Sequence, residues 1–142
     1  MHITKGDFLL SDNKESLDID VIYQFLSNSY WAKGITKDRI EKSIQHSLCF
    51  GVYHHNDQVG FARIISDYAT FAYLADVFIL ENFRGNALAK WLVTSIKQHP
   101  DLQGLRRWML ATRDAHELYA QYADFVPIAK PDIWMEIYHP YE

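Results

Sequence analysis

The sequence predicts an α+β domain: a mixed, mostly antiparallel sheet of about six or seven strands flanked by about four helices. Three observations predict it. The apolar period becomes alternating near residue 48, where "LCFGVYHH", "QVGFARIIS" and "FAYLADVFIL" form consecutive β-rich runs separated by an Asn-Asp turn and by "DYAT". Leu74 to Thr112 then holds strand, helix and strand, the pattern of a parallel pair joined by a crossover. Finally, the chain has 142 residues, 49% hydrophobic and 23% charged, enough for one core and too short for two comfortable ones. Residues 1–142 are therefore read as a single domain.

In chain order, "HITKGDFLL" is the first strand. A helix follows from about Asp18 to Tyr30, with Ile19, Ile22, Phe25 and Leu26 on one face and Asp18 and Asp20 favouring its start through the helix dipole. Thr36 is the expected cap of a short second helix through His46, with Ile40 and Ile44 on its inner side. After the three central strands, Leu88, Leu92 and Ile96 recur at helical spacing from about Asn86 to Gln98, and Pro100 marks the stop. "LRRWMLAT" is another strand. Asp114 and Glu117 have capping-box spacing, with aspartate in place of Ser/Thr, before a helix whose apolar face is Ala115, Leu118, Tyr119 and Tyr122. "IWMEIY" alternates as a final strand.

Composition excludes several functions. The formal net charge is -4 and basic pairs such as Arg106 and Arg107 are isolated, so the positive stripe needed for nucleic acid is missing. "MHITKGDFLL" lacks the features of a secretory signal and no apolar run reaches membrane-spanning length, so the expectation is a cytoplasmic protein without a membrane partner. Cys49, the single cysteine, reads as a small buried hydrophobe.

The stretch "VFILENFRGNALAKWLV" passes from a strand through a polar turn into a helix. A helix starting there presents unpaired backbone N–H groups and the positive end of its dipole, a setting that binds phosphate oxygens. Gly85, Ala87 and Ala89 would let a diphosphate approach the backbone, and Arg84 supplies charge and directional donors. The spacing is neither GxGxxG nor GxxxxGK[ST], which sets aside dinucleotide and Walker-type sites. Small residues at a helix start also serve close packing alone, and the spacing does not separate the two readings.

"DVFILENFRGNALAKWLV" resembles the acyl-CoA signature of the GNAT N-acetyltransferase superfamily, an Arg/Gln-x-x-Gly-x-Gly/Ala motif joining the fourth strand to the third helix. Arg84, Ala87 and Ala89 stand at its defined positions. The resemblance continues through "LATRDAHELYAQYADF" and "PDIWMEI" and covers essentially the whole chain, as in compact single-domain bacterial members. It implies an acyl-CoA N-acyltransferase domain whose fourth and fifth strands are parallel and splayed, with acetyl-CoA as co-substrate and no metal. Val77, Phe78 and Ile79 would line pantetheine. Arg84, Gly85, Asn86, Ala87, Leu88, Ala89 and Lys90 would hold the diphosphate. Two departures stand out: Ala87 replaces the usual glycine, with affinity for coenzyme at stake, and Ala123, Asp124 and Phe125 replace a Gly-Phe ending, suggesting a connection one residue longer.

Tyr119 falls where the family often places its general acid, and a phenol with an ordinary pKa of about 10 stays protonated at neutral pH and can donate to a leaving thiolate. By composition alone Leu118, Tyr119 and Tyr122 would be core aromatics. Asp76 interrupts an apolar strand and is the candidate base, with a hydrogen-bonded structural acid as the plain alternative. The N–H of Phe78 would polarise the thioester carbonyl. Tyr30, Trp31, Asp67, Tyr68 and Phe71 are the candidate acceptor-binding residues, offering ring faces and a carboxylate to an ammonium group. His54 and His55, adjacent on a strand, are expected to point to opposite faces and not to share a metal. His116 is expected at the surface. The reading is acetyl transfer from acetyl-CoA to a small-molecule or peptide primary amine by direct attack in a ternary complex. A catalytically silent acyl-CoA sensor or interaction domain is the alternative, and oligomeric state is open, a homodimer included.

Overall fold

The computed structural model describes residues 1–141. Six strands, β1 (His2–Lys5), β2 (Phe8–Ser11), β3 (Leu48–His54), β4 (Asp57–Ser66), β5 (Phe71–Ile79) and β6 (Arg107–Met109), form one sheet in sequential order. Every neighbouring pair is antiparallel except β5–β6, which is parallel. Four helices flank it: α1 (Ile19–Leu26), α2 (Lys37–Gln45), α3 (Leu88–Lys97) and α4 (His116–Ala123). The α+β class and the crossover through α3 are as the sequence predicts.

Side-chain alternation along the strands sorts the core into two clusters. Phe50, Ala62, Ile64 and Leu74 pack with Leu88, Leu92, Val93 and Ile96 of α3. Cys49, Phe61 and Phe78 pack with Ile22 and Leu26 of α1 and Ile40 and Ile44 of α2. Phe61 and Leu92 are fully buried, and removing a side chain of that kind typically costs about 3–5 kcal/mol for phenylalanine and about 2–5 for leucine.

Four expectations are corrected. The first strand is a hairpin, because Gly6 (φ 58) turns the chain between β1 and β2. The expected parallel fourth and fifth strands are therefore β5 and β6. The first helix ends at Leu26 rather than near Tyr30, and turns carry the chain to α2. Asp114 does not cap α4: that helix starts at His116 with no side-chain cap, and Thr112 Oγ1 accepts the Ala115 N–H at 3.0 Å. "IWMEIY" pairs with no strand. Pro131–Ile133 forms a 3-10 turn, since proline cannot donate to a ladder, and the segment beyond runs without regular structure.

Candidate functional site

β5 and β6 pair from Phe71↔Arg107 to Tyr73↔Met109 and no further. Beyond that point β5 continues to Ile79 while Leu110, Ala111 and Thr112 lead away, and both walls line an open cleft of about 1160 Å³. A bulge sharpens the opening. Phe61 pairs with Phe78 and Arg63 with Ala75, so β5 carries an extra residue there, and Asp76 adopts a left-handed backbone (φ 56). Bulges re-aim the chain at sheet openings, and here the residues past the bulge, Val77 to Ile79, line the cleft. Phe78 anchors this wall by stacking on Phe25 at 4.0 Å.

Asp76 also lines the cleft, but its carboxylate is already engaged. Oδ2 accepts from Arg63 Nε at 2.8 Å and Oδ1 from Trp31 Nε1 at 2.9 Å, while Arg63 Nη1 donates to Ser47 Oγ at 3.2 Å. It thus ties the α1–α2 connection to the sheet at the cleft wall. Each oxygen keeps a lone pair for a further donor. Arg63 went unread in the sequence; its position across the bulge from Asp76 is a register fact that periodicity does not carry.

At the end of β5 the chain makes a 3-10 turn over Glu81–Phe83 and enters α3 through Arg84 to Ala87. Arg84 Nε donates to Ile79 O at 3.1 Å, which draws its guanidinium back against the cleft. Gly85 (φ 88) and Ala87 (φ 58) are both left-handed, and a Cβ on Gly85 would meet nothing within 4 Å. The first turn of α3 has no side-chain cap and no acidic residue. Its leading N–H groups and positive dipole end are thereby left for an anion. Ala89 lines the cleft, whereas the Leu88 side chain is buried, so Leu88 can contribute only its backbone. Lys90 Nζ lies over the Tyr122 ring at 4.8 Å. The left-handed backbone at Ala87 also recasts the missing glycine: its first consequence is conformational strain, because a Cβ disfavours positive φ.

Tyr119 is 8% exposed and lines the same cleft from α4. Its hydroxyl donates to no protein acceptor among the described residues, and burial pushes its pKa up to about 12. It is a phenol held protonated at the cleft wall. The α4 C-terminus shows how the altered ending is accommodated: Asp124 takes the left-handed position (φ 63) that glycine ordinarily fills. The Phe125 N–H donates to Tyr119 O at 3.2 Å, and the Phe125 ring packs edge-on to Tyr119 at 6.0 Å.

The expected acceptor residues divide. Tyr30 and Trp31 line the cleft, joined by Arg113, whose guanidinium lies 3.8 Å over the Tyr30 ring and whose N–H donates to Tyr30 Oη at 3.2 Å. Asp67, Tyr68 and Phe71 do not line it. They lie at the opposite end of β5, where β6 is still paired. Asp67 is a turn-former: it accepts from the N–H groups of Thr70 (2.8 Å), Ala69 (2.9 Å) and Phe71 (3.2 Å) and from Thr70 Oγ1 (2.7 Å). These bonds, led by that from Thr70, hold its carboxyl well below the usual carboxylate range. Glu136, Tyr138 and Tyr141 of the C-terminal segment complete the cleft instead. The sequence reading missed them because it took this segment for a sheet strand.

Other groups stand apart. Cys49 is buried, which pushes its thiol up to about 12 and suits an inert core residue. His116 is exposed at the start of α4. His54 and His55 contradict the expectation that they diverge: His55 is left-handed (φ 51), and the two rings lie 4.1 Å apart.

Comparison with known proteins agrees with this architecture. The profile of the acetyltransferase (GNAT) family matches residues 17–125. An acetyltransferase assigned in Gibberella zeae is 32% identical over 141 residues, covering 83% of this chain and 78% of that one. The crystal structure of a protein from Xanthomonas campestris, assigned as an acetyltransferase of the GNAT family, superposes with a TM-score of 0.91 at 50% identity, covering 94% of each chain. The crystal structure, with acetyl-CoA, of a Clostridium acetobutylicum protein assigned as an acetyltransferase shares the fold at a TM-score of 0.65 and 14% identity, covering 92% of this chain and 94% of that one. The chain belongs to the GNAT acetyltransferase family.

Proposed function

We propose that this protein is an N-acetyltransferase that passes the acetyl group of acetyl-CoA directly to a primary amine within a ternary complex. One conjunction carries the reading: an uncapped helix start, a parting of β5 from β6, and an unpartnered Tyr119 hydroxyl all open on one cleft. The presence of acetyl-CoA in the Clostridium structure of the same fold supports the choice of donor.

Acetyl-CoA supplies an activated thioester. Backbone N–H groups from Gly85 to Lys90 and the Arg84 guanidinium hold its diphosphate, and Val77 to Ile79 run beside its pantetheine arm. The Phe78 N–H polarises the thioester carbonyl. Asp76 receives the ammonium of the acceptor and takes its proton, directly or through one water, with Glu136 adding negative charge elsewhere in the cleft. The amine nitrogen bonds to the acetyl carbon as the carbon–sulfur bond breaks, and Tyr119 gives its proton to the departing thiolate; the acylated nitrogen gives up its second proton to water, and Tyr119 is reprotonated from water. Because Arg63 already pairs with Asp76 and Arg113 already lies over Tyr30, the groups left to a cationic acceptor are the Trp31 ring, Glu136 and the remaining lone pairs of Asp76. No membrane or nucleic-acid partner is proposed, and the proposed location is the cytoplasm; among the described residues no helix is long and apolar enough to cross a membrane.

The test is thiol release from acetyl-CoA across a panel of amines, with Tyr119→Phe beside the wild type. The variant is expected to lose about 10²-fold or more in kcat while keeping its affinity for coenzyme. Unchanged turnover would remove Tyr119 from the chemistry, and no turnover with any amine despite tight coenzyme binding would favour the sensor. With Tyr119 protonated up to about pH 12 and the acceptor entering as its ammonium, kcat/KM is expected to stay level up to the amine's reference pKa of about 10.4 and to fall only above it. A decline between pH 8 and 10, in about the range of an ordinary phenol, would contradict the assignment.

The same segment that closes the cleft supports a homodimer. Glu136 and Tyr138 face the cleft and Trp134 packs under Arg107 at 4.8 Å, while the alternate residues Ile133, Met135 and Ile137 are 64%, 96% and 90% exposed. With Val126 also bare, these side chains leave exposed apolar surface of the kind that an interface covers. A second copy fits because the C-terminal segment meets β6, the edge strand of the sheet, through Trp134 and Arg107, and a twofold axis can make such a surface self-complementary. Sedimentation should show a dimer that Met135→Lys with Ile137→Lys converts to a monomer; a wild-type monomer at high concentration would overturn the assembly.

A further inference from the structure

We propose that Asp7, His54 and His55 form a binding site for one divalent transition-metal ion of the zinc class, built from two neighbouring hairpin turns and separate from the acyl-transfer chemistry. Phe8 and His54 are cross-strand partners in the β2–β3 pair. The next residue outward on each strand, Asp7 on one and His55 on the other, therefore emerges at the same end of the sheet. In a regular strand His54 and His55 would face opposite ways. The left-handed backbone at His55 (φ 51) cancels that alternation and brings the two rings to 4.1 Å. Gly6 (φ 58) makes the tight turn that carries Asp7. One ligating atom from each residue lies within 4.8 Å of the other two. Zinc bonds of about 2.0–2.1 Å place neighbouring tetrahedral ligands about 3.4 Å apart, so small rotations of the exposed Asp7 and His55 side chains bring all three onto a common ion.

The donor set selects the metal. Two imidazoles and a carboxylate suit Zn²⁺, Cu²⁺ or Ni²⁺, whereas Mg²⁺ and Ca²⁺ require shells of oxygen. Three protein ligands would leave the remaining positions to solvent, which reaches the site because Asp7 and His55 are exposed. The half-buried His54 is oriented by packing: its ring lies 4.9 Å from Phe8 and 5.3 Å from Phe83. Among the described residues neither histidine ring donates to or accepts from another protein group, so no hydrogen bond has to break before the metal enters. A bound ion would join the β1–β2 and β3–β4 turns.

Calorimetric titration of chelator-stripped protein with ZnCl₂, with MgCl₂ as comparison, tests the site. One equivalent of Zn²⁺ should bind, with a rise in Tm, and Mg²⁺ should give no heat. Asp7→Asn, and separately His54→Gln with His55→Gln, should each weaken Zn²⁺ binding by more than roughly tenfold, whereas His116→Gln should leave it unchanged. Circular dichroism of the metal-free variants checks their fold, and the exposed position of Asp7 makes Asp7→Asn the conservative variant. No binding at millimolar Zn²⁺, binding retained by both variants, or equal binding of Mg²⁺ would overturn the proposal.

Discussion

Helices α2 and α3 begin in opposite ways. At α2, Thr36 Oγ1 accepts the Arg39 N–H at 3.3 Å and Asp38 follows in the first turn, so the helix supplies its own acceptor and its own negative charge. At α3 the capping position is Ala87, left-handed and without a side-chain acceptor, and no acid follows. Both helices are amphipathic and both pack on the sheet, so packing does not account for the difference. Helix α4 also starts without a side-chain cap but carries Glu117 in its first turn, so α3 is the start that has neither a cap nor an acid, and directly beside a cleft its first N–H groups stay open to an anion.

That contrast can be broken from either side. The largest effect is expected from Ala89→Glu, which places an acid in the first turn of α3. It should weaken acetyl-CoA binding more than tenfold, about 1.4 kcal/mol or more, while changing stability little or raising it by about 0.3–1 kcal/mol through the dipole; paired calorimetry and denaturant titration check both. Thr36→Ala should do the reverse, lowering stability by about 1 kcal/mol with coenzyme affinity intact, as urea unfolding beside the same titration would reveal. The smallest effect is expected from Ala87→Gly, which relieves the left-handed backbone. A gain of about 0.5 kcal/mol, read as a higher urea midpoint without loss of coenzyme affinity, would show that this alanine is tolerated rather than required.

Alkaline unfolding sharpens the distinction between site and scaffold. Burial raises Cys49, Tyr53 and Tyr119 to about 12 from ordinary values of 9.0, 10.0 and 10.0. Their protonated forms are favoured in the fold, so this contribution is fully present below about pH 9 and is lost as pH rises toward 12. Tyr119→Phe should flatten the part of that loss between about pH 10 and 12, measured as the pH dependence of the unfolding free energy.

Much of the scaffold was legible because its signals are local. Ile40 and Ile44 at helical spacing behind Thr36 specify α2, and the run from Leu88 to Ile96 specifies α3 and its crossover. The misreadings fall where backbone conformation or a distant partner decides. Gly6 splits one apolar run into a hairpin, and "IWMEIY" alternates like a strand although alternation does not say whether a neighbour exists to pair with it. Asp67 was read as a ligand for substrate when its side chain competes for its own turn's N–H groups. His54 and His55 were separated by a rule for extended chain that one positive φ at His55 sets aside. Within the cleft, Tyr30, Trp31, Asp76 and Tyr119 are legible in the sequence, while Arg63, Arg113 and Glu136 arrive there through register, stacking and the path of the C-terminal segment.

The most direct test of the central claim, that the open start of α3 and the parting of β5 from β6 together hold an acyl-CoA, is a calorimetric titration of folded protein with acetyl-CoA, compared with free CoA, desulfo-CoA and the Ala89→Glu variant. The account predicts one equivalent of acetyl-CoA bound by the wild type, retained in large part by desulfo-CoA because the diphosphate anchors it, and weakened more than tenfold by Ala89→Glu. Absence of binding at millimolar acetyl-CoA, or equal binding by the variant, would contradict it.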